Sequence, residues 1–248
     1  WLQQSREAQL RGLVDAWTKS GWNDLRHTPG LLAEGDAWQN DPMLARTALL
    51  DYLPRSTEWH RIGDLVLLVK TADPDFQRPD GNYDTWYIRE LSSDAYITGF
   101  EHWDKVEGRL IPFLLQGGLH WLGMVDLSDS GDARFRLTPR AVAWLQGQSP
   151  ADDAVRVPII LQNDGTIIVS ETTDRYQRFQ AARISEAMPV TAGEPFRYRV
   201  THAALKQAKE NGITPERVSQ FLQQASGPPL PAALKRGSKD AAPAVIAN

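Results

Sequence analysis

The side chains whose types and spacing suggest joint chemistry are cations of the second half: Arg175, Arg178, Arg183, Arg197, Arg199, Lys206 and Lys209. Arg175 and Arg178 stand three apart, which puts them on one face of a helix, with Arg183 further along. Arg197 and Arg199 alternate within Phe196-Arg-Tyr-Arg-Val200, so a strand there turns both to one side. Should that side adjoin the helix, the guanidinium groups form a patch the size of a phosphate. Cations that neutralise backbone phosphates release condensed counterions, which gives affinity without sequence choice. The same residues read equally well as solvated surface arginines, and both readings stay open.

Reaction chemistry has less support. The chain has no cysteine, which removes disulfides, thiol nucleophiles and cysteine-ligated zinc or iron–sulfur centres. Its histidines, His27, His60, His102, His120 and His202, include no pair at i, i+3 or i, i+4. Neither H-E-x-x-H nor G-x-S-x-G occurs, nor a G-x-x-x-x-G-K-[ST] loop to cradle nucleotide phosphates. Glu58 and His60 near Asp64 form the best acid–base cluster, but they fall at a helix start, where the dipole favours acids anyway. His120 beside Trp121 reads as a packed or hydrogen-bonded histidine. Asp73 to Asp84 gathers oxygen ligands of the kind calcium takes. Two prolines and an arginine interrupt the run, and it reads as a turn-rich loop. The expectation is therefore a protein that is not an enzyme, with no catalytic residue, no metal site and no cofactor.

The elements that must position the cations follow from patterning. Val155–Leu161 and Thr166–Ser170 flank Gln162-Asn-Asp-Gly165, a hairpin signal between β-branched runs. A helix is predicted over about 173–187, with Tyr176 and Phe179 inward. The strand Phe196–Val200 follows, then Thr201 capping a helix over 202–211 and Thr214-Pro215 opening another. This order, β-β-α-β-α-α, describes a small α+β domain.

All nine tryptophans lie before residue 145, and an unbroken core has no reason to segregate its largest side chains. The polar tract Gln146–Asp153 marks the change of composition. The predicted organisation is a tryptophan-rich module over 1–147, a linker over 148–154, the α+β domain over 155–226, and a Pro/Ala-rich tail over 227–248. Charge divides similarly: residues 1–150 hold 15 Lys+Arg against 21 Asp+Glu, residues 151–248 hold 12 against 10. Nucleic-acid contact is therefore expected from the second half.

In the first module, helices are predicted over about 5–19, 43–53 and 62–72, then an irregular excursion over 71–103 pinned by aromatics, with a short strand near Tyr83–Ile88. A helix over about 105–117 follows, which Pro112 should bend or break. The hairpin Leu119–Thr138 and a closing helix capped by Thr138 complete it. Helices, hairpin, helix is the order of a winged helix, with 105–117 in the recognition position. The fold class is therefore α+β, a mainly helical winged-helix module followed by a small α+β domain. Asp126, Asp129 and Asp132 on the wing, with Asp104 and Glu107 around Lys105 and Arg109, oppose a phosphate-binding role for this module.

Arg78–Arg89, Phe100–Gly108, Leu119–Leu127 and Phe135–Thr138 together resemble bacterial helicase-associated proteins. In these, winged-helix regions precede a domain similar to the N-terminal domain of XPB-type DNA helicases. Ile159–Val169, Tyr198–Ala208, Gly212–Glu216, Phe221-Leu222 and Pro229–Pro231 are similar to that domain. The resemblance covers about 40–235. It implies a non-catalytic accessory module, with duplex or single-stranded DNA, or a helicase or other protein, as partner. The other class is a protein-interaction scaffold with no nucleic-acid contact. No apolar run suits a membrane span. The chain begins at Trp1 without a basic-then-apolar leader, which reads as a fragment edge, and a cytoplasmic location is expected.

Overall fold

Ser5 opens the first helix by accepting a hydrogen bond from the Ala8 amide, and similar caps set the starts of several later helices. The computed structural model describes residues 1–35, 40–128, 131–148 and 157–226. They divide into two compact units, one over Ser5–Asp152 and one from Asp153 onward, which also takes in Trp1–Gln4. The predicted linker beyond Gln148, the tail from 227, Trp38 and Asp129 lie outside the described residues.

The first unit contains helices α1 (Arg6–Thr18), α2 (Pro42–Tyr52), α3 (Ile62–Ala72), α4 (Trp103–Leu114) and α5 (Pro139–Leu145). Asp41 caps α2 ahead of a first-turn proline, and Thr138 caps α5 in the same way. Strands β2 (His60–Arg61), β4 (Val125–Leu127) and β5 (Arg134–Leu137) form an antiparallel sheet ordered β2-β5-β4, while β1 (Leu31–Ala33) pairs with β3 (Ile88–Glu90). Alternation along β5 sends Phe135 and Leu137 into the core and Arg134 and Arg136 outward. The core joins these two to Leu49, Leu65, Val106, Leu110 and Leu114.

Three details depart from the sequence expectation. The helix predicted over 105–117 occupies Trp103–Leu114 and passes through Pro112. It then widens into a π turn over Leu115–Leu119, where Gly117 leaves helical backbone at φ −93 and ψ −105. The break thus falls at a residue without a β-carbon rather than at the proline. The strand expected near 83–88 lies at Ile88–Glu90, and its partner Leu31–Ala33 carries no signal of its own.

The excursion between α3 and α4 is pinned by a buried ion pair as well as by aromatics. Arg78 Nε donates to Glu107 Oε1 at 2.6 Å, and Gln77 donates to the same oxygen at 3.2 Å. The Arg78 guanidinium carbon lies 3.8 Å from the centroid of the Trp86 ring. Asp75, one of the carboxylates that invite the calcium reading, accepts from the Tyr83 hydroxyl at 2.6 Å. Burial foremost, and then Asp75, pushes the Tyr83 phenol up. Arg46, fully buried, donates to Asp24 and to the carbonyls of Trp17, Ser20 and Trp22. It ties α2 to the chain leaving α1.

The second unit contains β6 (Ile160–Leu161), β7 (Thr166–Val169), α6 (Arg175–Ile184), β8 (Glu186–Ala187), β9 (Phe196–Arg199), α7 (His202–Glu210) and α8 (Pro215–Ser226). Its sheet is antiparallel throughout, ordered β6-β7-β9-β8. Helix α6 is shorter at both ends than the predicted 173–187. Asp174 is its cap, and Ser185 turns extended (φ −149, ψ 167), so that Glu186 and Ala187 become a strand against β9. The described chain is thus a mixed α+β protein.

Candidate nucleic-acid interface

Helix α6 starts where Asp174 accepts from the amides of Tyr176 at 2.8 Å and Gln177 at 3.3 Å. Such a cap satisfies amides that the first helical turn leaves without partners. Ala181 and Ile184 then bury the helix against the sheet. Arg178 borders this buried side. Its guanidinium carbon lies 3.4 Å from the centroid of the Phe196 ring, and its Nε donates to the Tyr198 hydroxyl at 3.2 Å. A guanidinium so placed is attracted by the ring's π-face. Arg178 therefore spends much of its side chain on the sheet's inner face. Arg175 and Arg183 are exposed on the helix, with Arg183 3.4 Å from Gln180 Oε1.

Strand β9 alternates Phe196 and Tyr198 inward with Arg197 and Arg199 outward, as the period of two requires. Cross-strand register sets Arg197 level with Ile168, itself level with Ile160, and sets Arg199 between Thr166 and Glu186. The outward face of the sheet is thus opposite the one α6 packs on. The condition for a single phosphate-sized patch, that this strand face adjoin the helix, is not met. Arg199 donates to Asp164 Oδ2 at 3.0 Å and to Thr166 Oγ1 at 3.2 Å. Hydrogen bonds from Thr166 first, and the Arg199 charge after them, hold the Asp164 carboxyl below the usual range. Arg197 is exposed. Lys206 and Lys209 share the exposed side of α7, away from buried Ala204 and Ala208. The seven cations are thus distributed over three surfaces: α6, the outward sheet face and α7.

Two residues of this surface depart from their sequence reading: Arg178, expected outward with Arg175 and Arg183, is drawn against Phe196 and Tyr198, and Phe179 turns the other way. Phe179, expected inward, is 44% exposed on α6. Arg175, Phe179 and Arg183 follow at intervals of four, on the side opposite Ala181 and Ile184, and that spacing is the signal that could have found it.

The cations of the first unit meet acids instead. Lys105 Nζ and Arg109 Nη2 approach the two oxygens of Glu90 at 3.0 and 2.8 Å. The hydrogen bond from Lys105 first, and that from Arg109 next, hold the Glu90 carboxyl low. Lys70 pairs with Asp104 at 2.5 Å. Arg134 and Arg61 both reach Asp132, and Arg136 reaches Asp126. Glu107, counted among the acids around Lys105 and Arg109, points inward to Arg78 and is fully buried.

The histidines do local work. The Nε2 of His60 lies 3.4 Å from Ser56 Oγ, and His120 Nδ1 lies 3.1 Å from the Val125 carbonyl oxygen. Among the described residues no group of three His, Cys, Asp or Glu could hold a metal ion. Nor is any helix among them long and apolar enough to cross a membrane.

Residues 159–243 match the family described as the helicase conserved C-terminal domain. The second unit is in this respect similar to a helicase-associated domain. No curated protein matches the chain.

Proposed function

We propose that this chain is a non-catalytic accessory module of a DNA-handling protein, whose second unit attaches to backbone phosphates. The observation that carries the reading is the coincidence of the helicase-domain match with the unit that holds the exposed cations of α6, β9 and α7. Its antiparallel sheet supports the accessory role, because phosphate loops of motor domains open a helix from a parallel βαβ sheet. The likeness to the N-terminal domain of XPB-type helicases belongs to the same proposal.

The first unit reads as a winged helix acting as scaffold. The order α2-β2-α3-α4-β4-β5, with β2 paired to the outer side of β5, supports the winged-helix arrangement. Engagement of both Lys105 and Arg109 by the Glu90 carboxylate speaks against α4 docking on phosphates. For this unit a protein-binding role has its own support. Leu32, Tyr87, Leu91 and Tyr96 are all exposed, and the two tyrosine rings meet edge to face with centroids 6.3 Å apart. Grouped apolar side chains at a surface are a common mark of partner binding.

The test is binding of a labelled generic duplex to the whole chain as salt is raised. Phosphate attachment gives an affinity that falls steeply and log-linearly with salt. Absence of binding even at low salt refutes it, and leaves the scaffold reading for the whole chain.

A further inference from the structure

Resting on the phosphate-binding reading above, we infer that the solvent face of α6 is a track for single-stranded nucleic acid, in which a base stacks on Phe179 while Arg175 and Arg183 hold the phosphates on either side.

The geometry is that of one helical stripe. Residues four apart advance about 40° around a helix, so the three positions stay within about 80° over a rise of about 12 Å. The buried positions Ala181 and Ile184 lie on the far side, which fixes the stripe toward solvent. Phe179 is 44% exposed in the middle of it. Burying that ring in the domain core would have stabilised the fold; here it is held out between two cations. Arg183 sets its guanidinium carbon over one face of the ring, 5.6 Å from the centroid, so a base would stack on what the 44% exposure leaves of the ring. Ala182, three residues on from the ring, is too small to cover it. No acidic residue occurs between Arg175 and Ile184, and the one beside Arg175, Asp174, is turned to the amides of Tyr176 and Gln177 as the helix cap.

An exposed aromatic between cations selects the single strand by elementary physics. Each unpaired base offers a π-face to stack upon, whereas a duplex keeps those faces inside its own stack. A protein partner is the less apt occupant. It would have to supply carboxylates on both sides of one small aromatic patch, while a nucleic-acid strand carries its anions at every repeat.

The experiment uses the full chain and three labelled oligomers of equal length at low salt: oligothymidylate, the same backbone without bases, and a duplex. Oligothymidylate should bind at least about fivefold more tightly than the base-free strand, the lower limit expected of one stacked base. Phe179→Ala should remove that preference, Phe179→Tyr should keep it, and Arg175→Glu with Arg183→Glu should reduce the salt slope for all three oligomers. Equal affinity of the wild-type chain for oligothymidylate and the base-free strand overturns the stacking inference and leaves phosphate attachment standing. A preference that survives Phe179→Ala overturns it equally. Failure of all three oligomers to bind overturns both. The comparison of strands on the wild-type protein keeps the inference falsifiable should a variant fold poorly.

Discussion

Arg78 and Glu107 form an ion pair out of reach of water: Nε stands 2.6 Å from Oε1, and the side chains are 3% and 0% exposed. The two partners are not equivalent, because a carboxylate can take up a proton and a guanidinium cannot lose one. Desolvation raises the Glu107 pKa above its ordinary 4.5, with the Arg78 charge opposing it.

Two substitutions should separate the partners. Glu107→Gln leaves an uncompensated buried cation and should cost about 3–5 kcal/mol. Arg78→Met leaves an acid that neutralises itself, and should cost less near pH 5. The sign of the pH dependence follows from the raised value. The folded state holds this proton more tightly, so stability falls as pH rises from 4.5 toward the folded pKa and is level above it. Arg78→Met removes the opposing charge and should extend that fall to higher pH. Urea unfolding read by tryptophan fluorescence at several pH values reports on the first unit, which contains every tryptophan but Trp1. A smaller cost for Glu107→Gln, or an Arg78→Met variant indifferent to pH, refutes the account.

Gly123 has a left-handed backbone, φ +69, just before β4, and a β-carbon there would sit 3.2 Å from Arg140 Nη1. Arg140 cannot swing aside freely, since it also binds Glu7 on α1. Gly123→Ala should therefore cost about 1–2 kcal/mol from backbone strain alone. Removing the Arg140 tip with Arg140→Ala should make the glycine substitution cheaper, and equal costs in the two backgrounds count against steric coupling.

Charge reversal divides the cations by unit. Lys206→Glu with Lys209→Glu should lower the salt slope of duplex binding by roughly 1 to 2, the change expected of lost phosphate contacts. Lys105→Glu with Arg109→Glu should leave that slope unchanged but lower the melting temperature, because Glu90 then faces like charges. A slope that falls equally in both variants would place phosphates on α4 as well.

How much of this is legible in the sequence differs by element. Helices α1, α2, α3 and α5 follow from periodicity and caps such as Asp41 and Thr138, which are local signals. Strands β1 and β3 are three residues each and pair across a long stretch of chain, so β1 has no local signal and β3 is displaced a few residues from the 83–88 that patterning suggests. The Arg78–Glu107 pair spans 29 positions through a turn-rich segment, and Glu107 taken alone reads as a solvated helix charge. Hydrophobicity by itself places Phe179 inward, yet that rule runs only one way: cores are apolar, but surfaces carry apolar side chains too. Its interval from Arg175 and Arg183 is the better guide. The faces of Arg197 and Arg199 relative to α6 depend on which side of the sheet the helix covers, which no periodicity states.

The strand order of the second unit bears on how it is made. Strand β9 comes last of the four in sequence but lies inside the sheet, between β7 and β8. As the chain emerges during synthesis, β6 and β7 can close their hairpin within microseconds. Ile167 and Val169 then wait beside an unpaired edge until residue 196 arrives. A chain halted before Phe196 has, of this sheet, only that hairpin, and it carries a bare, β-branched edge able to pair with another copy. Release from the ribosome short of β9 is thus the step at which this unit is most exposed to self-association.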